Sequence, residues 1–213
     1  MLSYLFPLAY AVLTCATPSS TIQSKKVKAY KLTYYWLSHQ KTFPGRRSTK
    51  LLYKKNKRTR RMWVTPKFAR AIRMQGSARL RDGRIVQFKK KCRGLTSKRC
   101  LRVRFINHKR YPMGVGAAGV PLKPMISLAV DRRRLPLGSV LYIPALRKWL
   151  RTQGIKHDGC FRADDVGGGI KGAHLDLFVG DSLRFRRLPR HTLPRKVRIH
   201  TQHPQCTVMT AKL

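Results

Sequence analysis

Residues 126–144, ISLAVDRRRLPLGSVLYIP, read as strand, turn and strand. Ile126 to Val130 forms an apolar run, Asp131 follows it directly, and Pro136 and Gly138 supply turn chemistry before Val140 to Ile143 resumes an extended pattern. A carboxylate is therefore expected at a strand terminus beside a tight turn, fixed in geometry and open to solvent. The same pattern recurs outward in both directions, in GRIVQF at 83–88, LRVRFI at 101–106, HLDLFVG at 174–180 and KVRIH at 196–200. Together with MISLAV and SVLYIP these make about six short strands, separated mostly by Gly, Pro or charged turn signals, which is the pattern of a small barrel in a mainly β chain.

Short helices interrupt the strands. Thr65 offers an N-cap and Pro66 suits the first helical position, while Phe68, Ala69 and Ile72 share one face, so a helix is expected to about Met74 with Gly76 ending it. Leu146, Trp149 and Leu150 recur at helical spacing ahead of Gly154, a second helix with a glycine C-cap. Nearer the N-terminus, Val27 to Leu37 is β-branched and aromatic and reads as a strand. Between Arg46 and Arg61, nine of sixteen residues are Lys or Arg, which reads as an exposed basic loop or polyanion-binding arm.

The 213 residues suffice for one compact domain with a tail or subdomain. The expected division is a signal at 1–20, an N-terminal strand plus basic loop at 25–64, the barrel at 65–200 and a tail at 201–213. The leading MLSYLFPLAYAVLTCATPSS resembles a secretory signal cleaved after Ala16, and Val12 to Cys15 loosely resembles a lipoprotein box, so the chain is expected to be exported to the periplasm, the outer membrane or beyond. With Cys15 set aside, Cys92, Cys100, Cys160 and Cys206 remain. Three pairings are open, of which Cys92 with Cys100 and Cys160 with Cys206 is favoured in an oxidising compartment.

Forty-eight Lys and Arg against seven acids give a net charge of +41, which calls for a polyanionic environment without choosing one. The acids are more informative, because all are Asp and six of the seven lie between 131 and 181. In HDGCFRADDVGGGIKG, Asp164 and Asp165 precede Gly167, Gly168 and Gly169, which allow close ligand approach and free N–H donors. In AHLDLFVG, Leu175, Leu177 and Val179 alternate with Asp176, so Asp176 points away from the apolar face.

SLAVDRRRLPLGSVLYIP, ADDVGGGIKG and HLDLFVG, in that order, resemble the 3D domain, named for three aspartates, and the related membrane-bound lytic transglycosylase A family. Upstream, IRMQGSARLRDGRI is similar to the Gln-Gly-Ser-Gly segment of the transglycosylases with Ala78 in the last position, and YPMGVGAAGVPLKP to their Gly-rich stretch. The resemblance covers residues 68–180. It implies a six-stranded double-psi β-barrel and cleavage of the MurNAc–GlcNAc bond of peptidoglycan without water, leaving a 1,6-anhydro sugar. On it, Asp131, Asp165 and Asp176 match the family aspartates, and Gln75, Ser77, Asp164, Gly167 to Gly169 and Lys171 are the expected substrate contacts. On the same resemblance, the long second domain of the full-length transglycosylases is not expected in these residues.

A lytic cleavage needs one carboxylic acid to protonate the leaving oxygen and then, as carboxylate, to accept the proton of the C6 hydroxyl that attacks C1. Neighbouring carboxylates would raise the pKa of that acid, and surrounding Arg would lower it. Asp165 is the expected acid/base, with Asp176 and Asp131 tuning it. Seven His form no HxH or HExxH pattern and the Cys no CxxC, so no metal or cofactor is expected. Gly114, Gly116 and Gly119 have GxGxxG form but lack the strand and helix of a dinucleotide site. The expected partners are peptidoglycan glycan strands and anionic envelope polymers. Two alternatives stand: a non-catalytic glycan-binding 3D-type protein, and a basic nucleic-acid-binding protein, which export would disfavour.

Overall fold

The structure is a computed structural model that describes residues 29–94, 99–185 and 189–207. The expected signal at 1–20, Cys15 and the end of the tail lie outside the described residues. Twelve strands form one mainly β sheet: β1 (Ala29–His39), β2 (Thr49–Lys55), β3 (Arg58–Val64), β4 (Ser77–Arg79), β5 (Ile85–Lys91), β6 (Cys100–Ile106), β7 (Ser127–Val130), β8 (Val140–Tyr142), β9 (Cys160–Asp165), β10 (His174–Asp181), β11 (Lys196–Arg198) and β12 (His200–Thr201). Their order is β12-β8-β9-β7-β10-β1-β4-β5-β6-β2-β3, with β11 paired to β1 off that path.

That pairing corrects the expected six-stranded closed barrel. The ladder is open, running from an edge at β12 to an edge at β3. The physical reason is β1. Lys31 to Tyr35 pairs in parallel with β10, and Ser38 and His39 pair in parallel with β4, so one long strand splices two groups of strands into a continuous sheet. Local apolar runs identify strands, but not which strand bridges to which.

The basic stretch read as a loop is a β-hairpin, β2 with β3, in register from Thr49↔Val64 to Lys55↔Arg58. Asn56 and Lys57 at its tip have φ of 49° and 62°, the left-handed pair of a tight hairpin turn. Leu51 and Val64 are buried in the core beneath helix α1 (Pro66–Gln75). Their alternation with charged neighbours was masked by the density of Lys and Arg.

Helix α1 starts where its capping chemistry says it should. Thr65 accepts from the Phe68 N–H at 3.3 Å, Pro66 occupies the first turn, and Gly76 leaves the helix at φ 76°. Phe68, Ala69 and Ile72 face one core cluster with Val86, Leu101 and Val103. Helix α2 (Pro144–Thr152) buries Leu146, Trp149 and Leu150 in a second cluster with Leu128, Phe161, Leu175 and Leu177. A third cluster, Tyr35, Leu37, Ile85, Leu122, Ala129, Ile170 and Phe178, lies where the two groups of strands meet, on the opposite face of β7 and β10 from the second. Cys92 is bonded to Cys100 and Cys160 to Cys206, the latter tying the C-terminal segment to the start of β9.

Candidate active site

The aspartates sit on the face of the third cluster, and strand register puts them there. Thr33 of β1 pairs with Asp176 of β10, Asp176 with Ala129 of β7, and Ala129 with Asp165 of β9. Paired residues on adjacent strands share a face, so these four form a lateral row. Asp165 reaches that face through a β-bulge: Leu128 pairs with Ala163 and Ala129 with Asp165, leaving Asp164 as the extra residue. Without the bulge Asp165 would project into the core with Ala163. The buried Ala129 methyl lies between the two carboxylates, which project from strands roughly two strand spacings, about 10 Å, apart.

Asp165 and Asp164 therefore part company. Asp164 is fully buried, bound by the Ser127 hydroxyl and the Arg162 guanidinium. Its carboxylate is spent on these interior partners, although it was expected among the substrate contacts. Asp165 Oδ1 accepts from the backbone N–H groups of Ala117 (3.0 Å) and Val166 (2.9 Å), and Oδ2 accepts from the Tyr35 hydroxyl at 3.1 Å. Burial raises its pKa, opposed by those two N–H groups and Tyr35 and reinforced by the charge of Asp164. The Tyr35 hydroxyl is held protonated by its own burial and by Asp165, so it remains a donor.

Asp176 has fewer stabilising partners. Thr33 donates to its Oδ1 at 2.6 Å. Burial first, and the charge of Asp165 beside it, outweigh that hydrogen bond and push Asp176 up to about 6. Asp131 behaves oppositely. It is 6% exposed rather than open, and accepts from Arg133 Nε (3.1 Å) and Nη2 (2.9 Å) and from the Gly172 N–H (2.9 Å). Arg133 above all, then Gly172, hold it well below the usual carboxylate range. Asp131 is thus an ionised anchor for the turn that leads into β10.

The arginines that would oppose a raised pKa are occupied elsewhere. Arg133 is committed to Asp131 and Arg162 to Asp164, and among the described residues no Lys or Arg forms an ion pair with Asp165 or Asp176. Of the glycine run, Gly167 is required by packing, since a Cβ there would lie 2.4 Å from Ile170 Cγ1. Gly168 and Gly169 face open space, and Lys171 is exposed beyond them. Gln75 and Ser77 take interior positions: the Gln75 side chain accepts from the Trp36 N–H at 2.9 Å where β1 is irregular, and Ser77 is buried under Gly114. Asp158 lies remote from the row, accepting from the Cys160 N–H at 2.8 Å.

Sequence reasoning missed four contributors: Thr33, Tyr35, Ala117 and His174. Thr33 and Tyr35 were visible only as parts of a strand, and their partners lie more than a hundred residues away. Gly116 carried a signal in its Gly-rich stretch. A Cβ there would meet the Asp164 carbonyl oxygen at 2.3 Å, and this close approach carries the Ala117 N–H onto Asp165.

The comparisons with known proteins point to the same segment of the chain. Residues 126–186, which hold all three family-matching aspartates, match the 3D domain. Over 67 residues the chain is 39% identical to the "Membrane-bound lytic murein transglycosylase A" of Vibrio cholerae serotype O1, covering 30% of this chain and 18% of that relative. The chain thus spans well under two thirds of the relative's length. The fold around the 3D domain is similar to that of Escherichia coli MltA with bound chitohexaose, with a TM-score of 0.53 at 15% identity over 80% of this chain and 70% of that one. It is also similar to a membrane-bound lytic murein transglycosylase from Agrobacterium tumefaciens, with a TM-score of 0.52 at 12% identity over 81% and 72%.

Proposed function

We propose that the chain is a peptidoglycan lytic transglycosylase in which Asp176, rather than Asp165, is the acid/base. The observation that carries this is the contrast between the two carboxylates of one row: Asp165 accepts from two backbone N–H groups and a tyrosine, whereas Asp176, among the described residues, accepts only from Thr33 and sits at a pKa of about 6. Two carboxyl groups whose environments separate their protonation states define an acid and its partner. Asp176 as the acid protonates the leaving O4 of the glycosidic bond. As carboxylate it then accepts the proton of the C6 hydroxyl as that oxygen attacks C1 of the same sugar, closing the 1,6-anhydro ring. The attacking group is already tethered, so proximity replaces an activated water. Asp165 supplies the negative field that keeps Asp176 protonated and offsets positive charge developing at C1. Backbone groups at Gly168 and Gly169 have room to meet the sugar, and the chitohexaose bound to Escherichia coli MltA is a ligand of this class.

The two disulfides and the apolar N-terminal segment support a protein that works in the periplasm or at the outer membrane. We infer that its second partner is an anionic envelope polymer. On the sheet face turned away from α1, Arg61, Leu52, Arg102 and Lys90 lie in one cross-strand row, and Lys50 beside them stacks 5.3 Å over the half-exposed Trp63. The only acid before Asp131 is Asp82, which is paired with Arg84.

The test is digestion of purified peptidoglycan followed by mass spectrometry. Wild type should release 1,6-anhydro muropeptides, Asp176→Asn none, and Asp165→Asn a reduced amount. Ordinary reducing ends would indicate hydrolysis, and glycan binding without products would leave a binding module.

A further inference from the structure

A hydrogen-bonded chain runs from Asp176 through Thr33, and it ends on a residue that the reaction above does not use. Thr33 Oγ1 lies 2.6 Å from Asp176 Oδ1 and 2.9 Å from His174 Nε2. His174 and Asp176 are two apart on β10 and share a face, while Lys31 and Thr33 of β1 pair with them in turn. A third acceptor, the Leu175 carbonyl, is at the 3.5 Å limit of the hydroxyl's reach.

The hydroxyl has one proton and cannot give it to both neighbours. The tautomer of His174 decides between them. In the tautomer protonated at Nδ1, the neutral ring offers Nε2 to Thr33 as an acceptor. Thr33 then donates to His174 and turns a lone pair toward Asp176, which suits a protonated carboxyl group. When Asp176 has given up its proton, the hydroxyl rotates and donates to the carboxylate.

We propose that His174 is a positioning residue which, through the Thr33 hydroxyl, favours the acid form of Asp176. The inference rests on the reading of Asp176 as the proton donor. Burial, reinforced by Lys31, lowers the pKa of His174, so the ring is neutral and ready to accept near neutral pH. The other charged or titratable groups around Asp176 are Lys31 and Tyr35 on β1, Asp165 and the Arg162-paired Asp164 on β9, the Arg133-paired Asp131 just past β7, and the His39-paired Asp181 at the far end of β10. None of these occupies the Thr33 hydroxyl.

Titration of the Asp176 carboxyl carbon by NMR, in the full chain, reads the effect without relying on activity. The variants are His174→Phe, His174→Gln, Thr33→Val and Thr33→Val with His174→Phe. In His174→Phe the hydroxyl loses its acceptor and is free for the carboxylate, so the Asp176 midpoint should fall by about one pH unit, the effect of one ordinary hydrogen bond. Added apolar bulk alone would raise it. His174→Gln retains an acceptor oxygen and should restore most of the wild-type midpoint. With Thr33→Val, replacing His174 should have no further effect. The alkaline limb of the cleavage-rate profile should move with the midpoint. An unchanged midpoint in His174→Phe, or the same His174 effect in the presence and absence of Thr33, overturns the proposal. If wild type fails to cleave peptidoglycan, the lytic reading falls while the titration still decides the role of His174.

Discussion

Asp176 carries a stability signature as well as a chemical one. Its folded pKa of about 6 lies above the ordinary carboxylate value because burial disfavours the charge. In the unfolded chain it ionises near pH ~4. Its contribution to stability is therefore fully present below that pH and is lost as pH rises through about 6, where the folded protein must ionise a buried carboxyl group. Asp176→Asn should melt above wild type at pH 8, the difference vanishing by pH 4, while cleavage is lost at both. A differential-scanning melt across that range checks it. Asp131, with its pKa depressed by Arg133 and Gly172, contributes in the opposite direction, its stabilisation being present above the ordinary carboxylate range and lost on acidification. The three aspartates were legible as a motif, but their division of labour was not. It depends on which backbone N–H groups and hydroxyls fold against each one, and those come from Thr33, Tyr35, Ala117 and Gly172.

At the scale of elements, the bulge in β9 and the Gly-rich loop before β7 act together. Ala118 donates to the Asp164 carbonyl at 3.0 Å and Ala117 donates to the Asp165 carboxylate, so the loop grips the bulge from above. Gly116 allows that contact because a Cβ would collide with backbone, whereas Gly168 faces open space. Gly116→Ala should lower stability by about 1–3 kcal/mol and reduce cleavage further by displacing Ala117 from Asp165. Gly168→Ala should leave stability within about 0.5 kcal/mol of wild type. Chemical denaturation of the two variants, with cleavage assays at matched folded fraction, separates the effects. Helices α1 and α2 were readable from capping residues and spacing, because those signals act within one or two turns. The β2–β3 hairpin and β9 were not. In the hairpin, dense charge obscured a period of two, and in β9 the bulge itself breaks the alternation by which strands are recognised.

Across the whole molecule, charge is segregated. Six of the seven acids lie in the 131–181 segment, and the four-strand face of β3, β2, β6 and β5 is cationic. Replacing Lys54, Arg61, Lys90 and Arg102 together with Gln should weaken binding to a phosphodiester-linked glycerol polymer. It should also flatten the dependence of log affinity on log salt by about 3 to 4, while the same number of changes at Lys67, Arg70, Arg73 and Lys148 should do less. Equal losses from both sets would mean that net charge alone governs binding, and preferential binding of duplex DNA would favour a nucleic-acid partner. The sequence by itself determined the aspartate motifs, the capped helices, most of the strand runs and the strongly cationic balance. All of these are properties of neighbouring residues or of composition. Only the tertiary structure decided that the sheet stays open with β1 at its seam, that Arg133 and Arg162 are kept off the central pair, and that Asp176 is the carboxyl group raised toward neutrality. Desolvation and hydrogen bonding set that pKa, and both arise from packing between segments more than a hundred residues apart.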